Sequence, residues 1–177
     1  MSVTAQAGRV QQICEALVLL LDVADAADEF KETIGAKRVY TTLTGLHEVG
    51  DTVVTMVAPV MTKRARDSNG TYGRYVVVEI LVRVHLTNDV RDDLATMDNR
   101  VYLAELIDNY LAAEANSDLT LVVGANEKTA EYIEPTDKRA DKDIRDDLGV
   151  LWDSADLVEK RQQTVLVRVA YWVDEDY

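Results

Sequence analysis

Tyr75-Val-Val-Val-Glu-Ile-Leu-Val-Arg-Val-His-Leu86 is the stretch that decides the fold of this 177-residue chain. Six of its aliphatic residues fall on one side of a strict two-residue alternation: Val76, Val78, Ile80, Val82, Val84 and Leu86. A period of two is typical of an extended strand, because successive side chains point to opposite faces. At about 3.3 Å per residue the strand would reach roughly 40 Å, about twice the usual length. We therefore expect it to project beyond its own core.

A second strand-like run, Val53 to Lys63, precedes this stretch, and a basic loop from Arg64 to Arg74 joins the two. Within the loop, Asn69-Gly70 is typical of a turn, because glycine tolerates a positive φ. Pro59 removes a backbone donor from the first run, so we expect a sheet edge or a bulge there. Together the two runs predict a long β-hairpin.

Helices and further strands flank the hairpin. Helical spacing of apolar residues predicts an amphipathic helix from Thr4 to about Asp22, with Ser2 or Thr4 as its N-cap, and a second helix from Asp98 to Ala115. Residues that favour extended structure predict three more strands, at Arg38 to Leu43, Leu119 to Val123 and Gln163 to Val173.

This order of elements predicts one α+β domain over residues 1–177. Its sheet is mostly antiparallel and includes the long β-hairpin, with helices packed on one face. Residues 125–156 form a polar, acidic insertion or excursion, in which a short helix is expected near Asp141 to Leu148. Such a long irregular segment inside one domain is usually functional or mobile.

Composition excludes several classes of function. The formal net charge of −13 and the sequence pI near 4.5 argue against sequence-specific or general nucleic-acid binding, which needs clustered cations. The longest apolar run, Ala16 to Leu21, is too short to cross a bilayer, so we expect no membrane partner and an intracellular protein when made. Cys14, the only cysteine, is expected to be a buried structural thiol.

No motif in the chain indicates catalysis. The two histidines, His47 and His85, form no zinc-binding pair, and the serines have no triad partner or nucleophile elbow. Adjacent carboxylates such as Asp92-Asp93 and Asp146-Asp147 point in different directions and are expected to be solvated. The glycines match no phosphate-binding loop. We therefore predict no enzyme activity, no catalytic residue, no metal site and no cofactor.

Two features instead favour assembly. The second face of the long strands mixes apolar and charged residues, which suits either a subunit interface or ordinary scattered exposure, and we assign to an interface Glu79, Arg83, Arg168 and Trp172. Cations cluster in and beside the hairpin loop at Lys63, Arg64, Arg66 and Arg74. This loop is either simply solvated or a docking arm for an acidic surface on a neighbouring copy or a partner.

The order of elements also resembles a known family. The features that carry the resemblance are the opening helix around Val10 to Leu21, the polar loop after Ala58-Pro59-Val60, the Gly73-Arg-Tyr75 entry into a long strand, the helix from Val101 to Leu111, and a last strand near the C-terminus. The chain resembles the tail terminator proteins of long-tailed bacteriophages, and more broadly their head-to-tail joining and tail completion proteins.

The resemblance implies a homo-oligomeric ring, a hexamer, that caps the tail tube, stops its polymerisation and joins it to the head-side connector. Its implied partners are other copies of itself, the tail tube protein and the head-side connector or neck protein. Its implied location is the virion tail or neck, and the host cytoplasm during assembly. Contacts are expected from the hairpin at Lys63, Arg64, Arg66, Tyr72 and Arg74.

Three other functions stay open at this point. The chain could be a neck or head-tail connector component rather than a terminator. A different class is a small metal-dependent enzyme built on clustered carboxylates. Another is a monomeric cytoplasmic adaptor that binds one protein partner.

Overall fold

The structure is a computed structural model that describes residues 8–30, 32–39, 54–66, 70–85, 93–123, 126–137, 142–153 and 162–175. Its elements in chain order are α1 (Arg9–Ala26), β1 (Lys37–Arg38), β2 (Val54–Arg66), β3 (Tyr72–His85), α2 (Asp93–Ala112), β4 (Asp118–Val123), β5 (Asn126–Tyr132), α3 (Lys142–Arg145), β6 (Gly149–Asp153) and β7 (Gln162–Asp174).

The strands form one seven-stranded sheet in the order β1-β2-β3-β7-β5-β4, and β6 pairs with β7 beside this path. Only β1 and β2 run parallel, and the other pairings are antiparallel. One side of β7 pairs with β3, whereas β6 and β5 share its other side. The predicted α+β domain with a mostly antiparallel sheet is confirmed.

The β2–β3 hairpin is confirmed, and its strands extend further toward the tip than predicted. The ladder runs from Val54 paired with Arg83 to Arg66 paired with Tyr72, and its register shifts between Pro59 and Met61. This shift confirms the bulge expected at the proline, which has no N–H to donate. Gly70 adopts a φ of 86°, which confirms the glycine-dependent turn.

Most of this strand does not project beyond its own core as expected, and only its start, at the exposed Tyr72, extends past it. β7 pairs with β3 along its length, from Gly73 opposite Asp174 to His85 opposite Gln162. The alternation of side chains shows how long a strand is but not how long its partners are. Because β7 is as long as β3, the long strand lies in the middle of the sheet.

The uniformly apolar face of β3 is the core. Its residues Val76, Val78, Ile80 and Val82 have no exposed surface, and the same holds for the residues of β7 on this face: Val165, Val167, Val169, Tyr171 and Val173. The two long helices cover this face as predicted, with Ile13, Leu17 and Leu21 of α1 and Leu103, Ile107 and Leu111 of α2. Burial of this apolar surface is the main stabilising contribution to the fold.

Cys14 is buried in the same core, which confirms the structural thiol. Burial disfavours the thiolate and raises the pKa of Cys14 to about 11. At neutral pH the side chain is therefore a small apolar group rather than a nucleophile.

The opposite face of the sheet holds a second, smaller core. It contains Tyr75, Val77, Ala170 and Trp172 from β3 and β7, covered by Ile133 and Ile144. Ile144 lies in α3, inside the short helix predicted for residues 141–148. The segment 125–156 also contains β5 and β6, which the sequence analysis missed, so this segment is part of the sheet and of its second layer.

Other boundaries differ from the predictions. Helix α1 begins at Arg9 with Gly8 as its N-cap and ends at Ala26, while the proposed caps Ser2 and Thr4 lie outside the described residues. Helix α2 begins at Asp93 rather than Asp98. Strand β1 covers Lys37–Arg38, and most of the predicted strand up to Leu43 lies outside the described residues.

Gly73 gives the second core a direct test. A Cβ at this position would lie 2.1 Å from Cζ2 of Trp172, whose indole packs with its ring centroid 4.6 Å from that of Tyr75. We expect Gly73→Ala to lower the free energy of unfolding by about 1 to 3 kcal/mol in urea denaturation, through overpacking. In a Trp172→Leu background the same change should cost clearly less, because the clash is relieved. An equal cost in both backgrounds would contradict this packing.

Candidate assembly interface

The hairpin end, defined here as residues 63–66 of β2 together with residues 70–74, which include the start of β3, carries five of the predicted contact residues. Arg64 pairs with Arg74 across the ladder, and Arg66 pairs with Tyr72. The two-residue period of a strand puts Tyr72 and Arg74 on the same face as Val76 and Val78, which is the face covered by the helices. Arg64, Arg66 and Arg74 therefore extend the core face at one end of the sheet, while Lys63, opposite Tyr75, lies on the other face.

Arginine and tyrosine side chains pack together on this surface. The guanidinium carbons of Arg64 and Arg66 lie 5.2 Å and 5.3 Å from the centroid of the Tyr72 ring. These distances are within the range of a cation–π contact. Arg66 also donates from Nε to the carbonyl oxygen of Gly70 at 2.7 Å, which closes the tip. Tyr72 keeps 42% of its surface exposed.

A carboxylate from the C-terminal end lies among the arginines. Glu175 accepts from Nε and Nη2 of Arg74 at 3.0 Å and 2.9 Å, and its other oxygen lies 2.6 Å from Nε of Arg64. Nη1 of Arg9, at the start of α1, lies 3.9 Å from Oε1 of Glu175. We call Arg9, Arg64 and Arg74 the arginine cradle. Hydrogen bonds from Arg74 and the nearby charge of Arg64 lower the pKa of Glu175 below its ordinary value.

Two other predicted interface residues pair with each other. Glu79 lies opposite Arg168 in the ladder and accepts from its Nε at 3.1 Å and its Nη2 at 2.5 Å. Asp147 is a second partner, 3.5 Å from Nη1 of Arg168. These contacts give Glu79 and Arg168 partners within their own chain.

Trp172 is only 4% exposed, and its Nε1 donates to Asp174 at 2.6 Å. Its indole therefore offers almost no area to another chain. Arg83 lies in β3 opposite Val54 and Thr164, away from the hairpin end. The structure thus brings together Arg64, Arg66, Tyr72 and Arg74 on one face of the hairpin end, whereas Lys63 pairs with Tyr75 and lies on the other face. The other four predicted contact residues do not belong to this group: Glu79, Arg83, Arg168 and Trp172.

Two exposed apolar residues and the acidic ligand of the arginines were not predicted from the sequence. Val60 and Met61, just past the Pro59 bulge, are 49% and 42% exposed and border a groove of about 150 Å³. Glu175 and Arg9 are far apart in sequence from the hairpin. Only the β3–β7 register, which places Asp174 beside Gly73, could have predicted the contact with Glu175.

Among the side chains that the structure describes, no group of three or more His, Cys, Asp or Glu residues could hold a metal ion. His47 lies outside the described residues, and His85 is the last residue of β3. The described helices include none with the length and apolar character needed to cross a membrane.

Comparison of the chain with known protein families and with curated proteins finds no match.

The arginine cradle predicts the titration of one carboxyl group. In the folded protein we expect Glu175 to titrate below its ordinary value, and Arg74→Gln to move the midpoint back up, since Arg74 makes the largest contribution. NMR detection of the side-chain carboxyl carbon through an acid titration measures both. A lowered folded pKa means that the contact stabilises the fold above the unfolded pKa and is lost as the pH falls through the folded value.

Arg9→Gln is the matched control, because its guanidinium is further from the carboxylate and should change the midpoint less. Equal midpoints in all three proteins would contradict the assignment of Arg74 as the main partner.

Proposed function

We propose that this chain is a structural protein of virion assembly with the role of a phage tail terminator. In this proposal it forms a homo-oligomeric ring that caps the tail tube, stops its polymerisation and joins it to the head-side connector. The observation that supports the proposal most is the hairpin end, a basic and aromatic surface at one end of the sheet in a strongly acidic chain.

The composition of this surface favours protein contact. Arginine and tyrosine are enriched in interfaces and among the residues that contribute most to binding. Here Arg64 and Arg66 lie against Tyr72, which preorganises the three side chains before any partner arrives. Preorganised side chains lose less entropy when they are covered.

Charge indicates which partner this surface fits. The chain has 32 acidic and 19 basic residues, so each copy carries an acidic surface that complements the hairpin end of another. Complementary potentials steer association and determine its register. A repeated contact between two different surfaces of identical copies closes into a ring when the rotation allows it.

The second face of the sheet supports the same assignment of surfaces. Its apolar residues pack against Ile133 and Ile144, and its main charged pair, Glu79 and Arg168, is matched within the chain. Of the exposed apolar side chains, Tyr72 lies on the hairpin end, Val60 and Met61 border a groove beside Ile144 and Arg168, and others lie elsewhere: Leu19, Val23, Tyr102, Val122 and Leu151. The arginines and Tyr72, rather than an apolar patch, therefore distinguish the hairpin end.

Light scattering of the purified protein, together with negative-stain images, tests this proposal. We expect rings, either in the protein alone or when tail tubes of the phage that encodes the chain are added. The double change Lys63→Glu with Arg66→Glu should prevent ring formation or tube capping because it reverses the charge of the hairpin end. It avoids Arg64 and Arg74, which hold Glu175, so the melting temperature should stay close to that of the parent.

A double change of Lys37→Glu with Lys142→Glu is the control, since both lysines are exposed and the net charge changes equally. Rings in the control but not in the hairpin variant support the proposal. A parent protein that stays monomeric with and without tubes, or two variants that assemble equally well, would overturn it.

A further inference from the structure

The arginine cradle gathers three guanidiniums around one carboxylate. Its three guanidiniums come from three separate elements: Arg9 from α1, Arg64 from β2 and Arg74 from β3. All three lie within 4 Å of the single carboxylate of Glu175. The four side chains together keep a formal charge of +2. A site built this way binds carboxylates, and the chain supplies the first of them itself.

The bound carboxylate is held by a short connection. Glu175 follows directly after β7, and its backbone N–H donates to the carbonyl oxygen of Tyr72 at 2.8 Å. The preceding residue, Asp174, is the last one in the ladder with β3. Besides its contacts with Arg64 and Arg74, Glu175 therefore loses one backbone hydrogen bond when it leaves the cradle, while the β3–β7 pairing stays intact.

The cradle is also open to solvent. The side chains of Arg64 and Arg74 are 48% and 37% exposed, whereas that of Glu175 is 12% exposed beneath them. An incoming carboxylate can reach the guanidiniums from outside before Glu175 has left. The geometry thus allows exchange of one acidic ligand for another.

We propose that Glu175 is a built-in competitor that occupies the arginine cradle in the free protein and gives way to an acidic surface of a second copy during assembly. The identity of the partner rests on the proposed function, whereas the competition rests on the contacts of the cradle. A second copy fits because the chain itself is the source of acidic surface, at a net charge of −13.

Competition of this kind has a measurable cost in affinity. When an internal ligand fills a site for most of the time, the apparent affinity for an external ligand falls by the fraction of time that the site is available. Removing the charge of Glu175 should therefore strengthen the binding of external acidic groups. A purely structural ion pair predicts no such gain.

The experiment compares Glu175→Gln with Asp174→Asn. Both changes remove one negative charge at adjacent positions, but the Asp174 carboxylate accepts from Trp172 rather than from the cradle. The probe is a fluorescein-labelled hexaglutamate peptide, and its binding is measured by fluorescence anisotropy. We expect about three- to tenfold tighter binding for Glu175→Gln than for Asp174→Asn at low salt. The difference should disappear at about 0.5 M NaCl, where surface charges are screened.

Equal binding of the probe to the two variants would overturn the competitor inference. Light scattering on the same samples separates this inference from the proposed function. Rings in the parent protein without a gain in Glu175→Gln leave the proposed function standing and reject the competitor. A gain in probe binding for Glu175→Gln supports the competitor inference. If this gain is seen but no ring forms with or without tail tubes, the proposed function fails and the competitor inference stands.

Discussion

The antiparallel pairing of β3 with β7 is the interaction on which the rest of the structure depends. It runs from Gly73 opposite Asp174 to His85 opposite Gln162 and places two long strands in the middle of the sheet. Because both strands alternate, one face is uniformly apolar and receives the two long helices, and the other collects Tyr75 and Trp172 for a second core. One ladder therefore determines what lies on each side of the sheet.

The same ladder creates the candidate site. At the end of this ladder that lies near the first residue of α1, the alternating positions on the helix-covered face change. They become basic and more exposed instead of apolar and buried. The ladder also places Glu175, the residue after Asp174, beside Arg64 and Arg74. On one side of the hairpin end, Arg64, Arg66, Tyr72 and Arg74 thus continue the core face as a more exposed, basic surface.

The parts of the fold that repeat a local period could be predicted from the sequence. The long hairpin, the bulge at Pro59, the two helices and the last strand all carry such a signal. Strand β5 does not, because Asn126-Glu-Lys-Thr-Ala-Glu-Tyr132 has no apolar alternation and becomes a strand by pairing with β4 and β7. The basic half of the site was visible as a cluster in sequence. The contact with its acidic ligand, Glu175, depends on tertiary pairing, which no local pattern encodes. The burial of Trp172 within its own chain depends on tertiary pairing as well.

The most direct test of the account is a site-specific photocrosslink from one copy to another. A photoreactive phenylalanine derivative placed at Tyr72 reports on the hairpin end, and the same group at Tyr102 of α2 is the control, since that side chain is 52% exposed on a different surface. The account predicts crosslinked dimers and larger species from position 72 and none from position 102. Copies that crosslink equally from both positions, or only from position 102, would contradict it.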